Sequence, residues 1–232
     1  MLKSKAQSHK PTTKQVDFKN LITFLQELNK NNSKEWMDSN RKWYHQVRNG
    51  FVGWLDELND NLLRQYDDYY DTPGKKGINR INNNLLYHPN RPIYKDHFGA
   101  GLDKRPNTGD FYIEIGMEES MFAGGLWRPD PKRLASIRDA IDYDGEELVD
   151  ILEKTSFKKA FGGLVEDAKL TRPPKGFSED HPHIDLLKNK TFAVMAKFDN
   201  TLLFQDNFNE KVFGVYKEML PFRTYLNKAI TV

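Results

Sequence analysis

The chain contains no cysteine in 232 residues, which excludes disulfides, thiolate metal sites and a cysteine nucleophile. It also lacks an excess of one charge: 35 Lys plus Arg stand against 33 Asp plus Glu, a net +2 with histidine neutral. Such a balance supplies no strong field to recruit a nucleic acid or an anionic membrane. Long apolar runs are missing as well. A membrane-spanning helix needs roughly 20 apolar residues, and the most apolar stretch, near residues 191–198, is interrupted by lysine. The opening MLKSKAQSHK is basic and polar, without the apolar core of about 7–15 residues that a secretory signal requires. Residues 1–15 are therefore expected to be a flexible tail and the location cytoplasmic. There is no internal repeat, no low-complexity segment and no G-x-S-x-G nucleophile elbow.

Aromatic residues make up 12% of the chain, which argues against disorder. In the N-terminal third, Phe18, Leu21, Ile22, Leu25 and Leu28 recur at helical steps behind Asp17, a candidate N-cap. Ser33 is placed to cap a second helix carrying Trp36, Tyr44 and Val47, and a third is expected after Gly50 with Phe51, Trp54, Leu55, Leu58 and Leu62. The centre changes character at Asp71-Thr72-Pro73-Gly74. Phe111, Ile113, Ile115 and Met117 alternate with Tyr112, Glu114 and Gly116, the period of a half-buried strand. Residues 85–87, 94–98 and 121–127 are further strand candidates, and their short links favour an antiparallel sheet. Helices return at Asp130-Pro131, with a second cap at Asp144. A short helix at 184–188, a strand at 191–198 and a long terminal helix at 207–227, kinked at Pro221, complete the pattern. The expectation is α+β: N-terminal helices, a central mainly antiparallel sheet and further helices, in a single domain over residues 16–232.

Three stretches concentrate polar chemistry. Residues 80–97 combine Arg80, Arg91, Lys95, Tyr87, Tyr94, His88, His97 and four asparagines. Guanidinium forks with amide or phenol donors suit a phosphate or carboxylate, although the same composition also makes a polar hairpin. Residues 121–130 place Gly124-Gly125 and Trp127 before a helix N-terminus, but without a phosphate-loop spacing. The segment Asp180-His181-Pro182-His183 has ligand-type residues, yet no second cluster completes a metal site, so no metal and no cofactor are expected. Glu114, in an otherwise apolar strand, and His88 are the candidate general bases; a strand ion pair is the alternative for Glu114.

The chain resembles a widespread bacterial and fungal family of conserved proteins of unknown function. The matching residues are Asn31-Asn32 with Trp36, Arg80-Ile81, Tyr94-Lys95, Gly124-Gly125-Leu126-Trp127-x-Pro129, Leu134-x-x-Ile137-Arg138, and Arg172-Pro173-Pro174-x-Gly176-Phe177 with His181-Pro182. The resemblance implies an α+β fold over nearly the whole chain. The family's central box reads R-I-x-R-D-x-R-F-S-x-D-K-x-P-Y-K. Here Asn83, Asn84, Leu86, His88 and Asn90 replace its Arg, Asp, Arg, Ser and Asp, while Arg80, Tyr94 and Lys95 remain and Arg91 stands for the Lys.

These observations favour binding of a small anionic ligand over the sheet by Arg80, Arg91, Tyr94 and Lys95, with Arg138 and Arg172 as partners and Trp127 as a wall. A hydrolytic or transfer enzyme using Glu114 or His88 and a protein-interaction module are the alternatives. No nucleic-acid or membrane partner is expected.

Overall fold

The computed structural model describes residues 16–167 and 169–231; the tail expected at 1–15 lies outside the described residues. Helix α1 (Phe18–Lys30) starts where Asp17 accepts the amide of Asn20 at 2.9 Å. Ser33 caps α2 (Lys34–Ser39) through Trp36 N at 3.1 Å. The break then falls at Asn40 and not at Gly50, because α3 runs from Arg41 to Gln65 without interruption. Glycine inside a helix costs about 1 kcal/mol, but Val47, Phe51, Leu55, Leu58 and Leu62 form one buried stripe on both sides of Gly50. Burial of each such side chain contributes roughly 1.5–3 kcal/mol, so the stripe outweighs the glycine.

A short turn α4 (Gly74–Gly77) leads to an antiparallel meander in which β1 (His97–Leu102), β2 (Phe111–Gly116), β3 (Glu119–Leu126) and β4 (Phe192–Asp199) are neighbours in chain order. Between β3 and β4 lie α5 (Pro131–Glu153), α6 (Thr155–Phe161) and α7 (Ile184–Leu187). Asp144 has non-helical backbone angles and divides α5, in keeping with its reading as a second cap. A 3-10 turn (Asn200–Phe204) and α8 (Phe208–Ala229), which holds Pro221 in its interior, close the chain.

Alternation gives the sheet two unlike faces. Phe98, Ala100, Leu102, Phe111, Ile113, Ile115, Phe122 and Val194 point into one buried cluster shared with α1, α3 and α8. His97, Gly99, Gly101, Tyr112, Glu114, Met121, Ala123, Met195 and Lys197 share the other face by parity, and Lys95, two residues before β1, feels the Glu114 charge on it. Residues 85–87 are not a strand. They form a loop tip with turn bonds to Asn84 O, and Leu86 and Tyr87 are 84% and 73% exposed. The flanking Asn and Pro close this turn locally and leave it no strand partner. Likewise β1 begins at His97 and not at Tyr94, which makes one isolated bridge to Asn82.

Candidate functional site

The segment before β1 folds back along its edge. Asn79 N donates to Gly99 O (2.8 Å), Lys95 N to Ile81 O (2.8 Å) and Asn83 N to Ile93 O (2.9 Å). This pairing carries Arg80 and Arg91 toward Lys95. Burial lowers the Lys95 ammonium below its ordinary pKa; the Arg80 charge adds to the effect, Glu114 opposes it and Arg91 adds again. Both arginines are exposed, and neither guanidinium has a hydrogen bond or ion pair to another described residue.

Beside these cations runs a chain of short contacts. Tyr112 Oη donates to Glu114 Oε2 at 2.7 Å, and His97 Nε2 lies 3.3 Å from the same oxygen. The other His97 nitrogen, Nδ1, is 2.9 Å from Asp96 Oδ1. The backbone register explains the grouping, since Glu114 sits opposite Gly99 and Tyr112 opposite Gly101. A Cβ at Gly99 would stand 2.2 Å from Tyr112 Oη, so the missing side chain is what lets the phenol lean over β1. Burial, then the Glu114 hydrogen bond and charge, push the phenol well above its ordinary value. It therefore remains a donor throughout the neutral range. Gly99→Ala is expected to displace Tyr112 and cost about 1–3 kcal/mol, the usual range for overpacking; urea denaturation would show it, and an unchanged midpoint would refute the role given to Gly99.

The other residues singled out in the sequence lie elsewhere. Tyr94 is 5% exposed with its ring in the core. Its backbone is clamped at both ends by Asn32, which accepts from Tyr94 N at 2.9 Å and donates to Tyr94 O at 3.0 Å. Tyr94 thus anchors the strand entrance. Arg138 donates to Leu187 O and Asn189 O, holding the end of α7. Arg172 is exposed on its loop, and neither it nor Arg138 is among the charges acting on Lys95. Trp127, 56% exposed, lines a groove toward the opposite end of the open face. His88 is exposed on the loop tip, away from the Glu114 chain. His181 and His183 direct their Nε2 atoms to Asp142 (3.0 Å) and Glu146 (3.6 Å), docking the loop on α5. Among the described residues no three His, Asp or Glu side chains are grouped to hold a metal ion.

His97, noted in the sequence within the polar 80–97 stretch, and Tyr112, noted within the central strand, join Glu114 in the site. The signal for them was present in the spacing Lys95-x-His97-x-Gly99-x-Gly101, two side chains and then two gaps on one strand face.

A family model described as Conserved hypothetical protein (DUF2461) matches residues 20–225, in agreement with the resemblance read from the motifs. No curated protein and no solved structure matches the chain.

Proposed function

Because the chain belongs to the DUF2461 family of conserved hypothetical proteins, whose description assigns no activity, we propose a function from the site itself: binding of a small phosphate- or carboxylate-bearing ligand by Lys95, Arg80 and Arg91. The observation that carries this reading is a local excess of positive charge. Arg80 and Arg91 lie close enough to act on Lys95, and the carboxylate that also acts on it, Glu114, already receives Tyr112 and lies against His97. An arriving anion would offset both the burial of the ammonium and its repulsion by the arginines. Guanidinium forks and an ammonium also match the geometry of phosphate and carboxylate oxygens.

The test is thermal stability of wild type and Lys95→Met against a panel of phosphates and carboxylates. A ligand that binds the native state raises its melting temperature, so wild type should respond and the variant should not. Equal responses in the two proteins would reject the proposal. The pH dependence has a definite sign. Lys95 must be charged to bind, and its folded pKa lies below the ordinary 10.5. Phosphate affinity, measured by calorimetry at constant ionic strength, should therefore have fallen to half its Lys95-dependent value before pH 10.5 is reached and continue to fall as pH rises. Affinity that declines only above pH 10.5 would contradict the role of Lys95.

The enzyme alternative has less support. Glu114 Oε2 already accepts from Tyr112 and is approached by His97, which leaves Oε1 as its one oxygen for a substrate proton, and His88 sits on an exposed loop tip. The interaction-module reading rests on Leu86 and Tyr87, exposed at that same tip.

A further inference from the structure

Farther along the open face, away from Lys95, the strands leave a groove of about 350 Å³. Its floor follows from the register: Ala123 of β3 lies between Tyr112 of β2 and Met195 of β4, with Met121 one step along. A small residue at the centre with larger ones around it makes a depression, and methionine adapts to varied apolar shapes. One wall is fixed by the segment before residue 168, where Val165 N donates to Ala193 O at 2.8 Å. The other wall is Trp127. Its indole lies under the Arg128 guanidinium, 5.7 Å from the ring centroid. Arg128 is itself held bidentately by Asp167 at 3.0 and 2.7 Å.

Asp110 is the one described residue lining this groove that carries a charge. Gly101 makes room for it, since a Cβ there would stand 2.0 Å from Asp110 Oδ2. The charges acting on it are Lys104 and Asp103 from the same loop and Arg223 from α8, and the Tyr112 phenol of β2 lies close enough to feel its charge. None of them bonds to its carboxylate. Arg223 pairs with Asp103, and the Asp110 carboxylate has no side-chain hydrogen bond or ion pair within 4 Å among the described residues. Burial holds its carboxyl above the ordinary value, against Lys104, Arg223 and a hydrogen bond from its own backbone amide.

We propose that this groove is a second site, for a small organic amine whose ammonium pairs with Asp110 while its hydrocarbon body lies over Ala123, Met121 and Met195 against Trp127. A half-buried carboxylate that meets its own backbone amide but no side-chain partner, at an apolar wall, favours a cation over an anion or a neutral hydrocarbon. The Tyr112 ring, close to Asp110, adds attraction for the same charge. The volume falls in the range of about 300–1,000 Å³ typical of small-molecule pockets. The proposal does not depend on the anion site, because Lys95, Arg80 and Arg91 do not line the groove.

The test is calorimetry on the full chain with benzylamine, benzyl alcohol and phenylacetate as probes of one shape and three charges. Benzylamine should bind at least tenfold more tightly than benzyl alcohol, with phenylacetate weakest at this groove. Asp110→Asn should remove the preference for the amine while melting no lower than wild type, since it deletes a charge that burial disfavours. Ala123→Leu, which fills the floor and leaves Asp110 in place, should weaken benzylamine at least tenfold. Lys95→Met should leave benzylamine unchanged. Equal binding of amine and alcohol to wild type would overturn the proposal. So would benzylamine affinity that survives either groove variant, or no saturable binding of benzylamine at all.

Discussion

Asp103→Asn is expected to lower the stability of the fold by about 3–5 kcal/mol, the cost of breaking a buried ion pair by removing one partner. Its partner Arg223 is 1% exposed, among the largest fully buried side chains. Arg223 Nη1 donates to Asp103 Oδ2 at 2.9 Å, and Nη2 donates to the carbonyls of Asp103 and Gly109, each at 3.0 Å. Tyr216 Oη donates to the same carboxylate oxygen at 2.8 Å, and Tyr70 N reaches the other at 2.8 Å. Without the carboxylate charge, the guanidinium would stay buried with an Nε that already lacks a partner. Asparagine is the informative replacement because Asp103 has φ 49°, a left-handed conformation that Asn tolerates. The loss would then report charge and not backbone strain. Asp38→Asn is the contrast. The Arg41–Asp38 pair is about half exposed on both sides, and such surface pairs contribute roughly 0–1 kcal/mol. Urea denaturation of the two variants would compare them; similar midpoints would contradict the assignment of Arg223 and Asp103 as the clamp between the 103–109 loop and α8.

The second large effect concerns ligand affinity. Lys95→Met should weaken phosphate binding by about tenfold to a hundredfold, because a charge-assisted hydrogen bond contributes about 1.5–3 kcal/mol. Removing both exposed arginines in an Arg80→Gln, Arg91→Gln protein should produce a loss of similar order and reduce the salt dependence. Glu114→Gln should act in the opposite direction. The amide retains an oxygen for Tyr112 Oη but removes a negative charge beside the bound anion, so affinity should rise. That sign separates an anion site from an enzyme whose base is Glu114, where the same change would leave affinity in place and remove turnover. Calorimetry on the three proteins reads all of these effects, and a fall in affinity for Glu114→Gln would count against the charge balance described above.

The parts of this fold legible in the sequence are those set by local spacing. The Phe18–Leu28 stripe, the Asp17 and Ser33 caps and the alternation of Phe111–Ile115 are each decided within a few residues, and each is found in the structure. Gly50 was misleading because a breaker acts locally while the stripe that overrides it spans about four helical turns. Leu85–Leu86–Tyr87 looks like a strand by composition, but a strand needs a partner, and the turn around it supplies none. The candidate site divides in the same way. Arg80, Arg91 and Lys95 could be grouped because a short reversal joins them. Tyr94 could not be recognised as a core anchor, since its clamp Asn32 is 62 residues away. Arg138 and Arg172 carry charge suited to an anion, but tertiary placement assigns Arg138 to the α7 carbonyls and leaves Arg172 on an outer loop. Tyr112 and Glu114 are two residues apart on β2 and share a face, but His97 meets Glu114 only through the register of β1 and β2, which no single segment contains.

The most direct test of the anion site is a crystal of the protein soaked in tungstate, an electron-dense tetrahedral oxyanion. The account predicts an anomalous peak bounded by Lys95, Arg80 and Arg91, absent from Lys95→Met crystals treated identically. A peak confined to other basic surface, or one that persists in Lys95→Met, would contradict it.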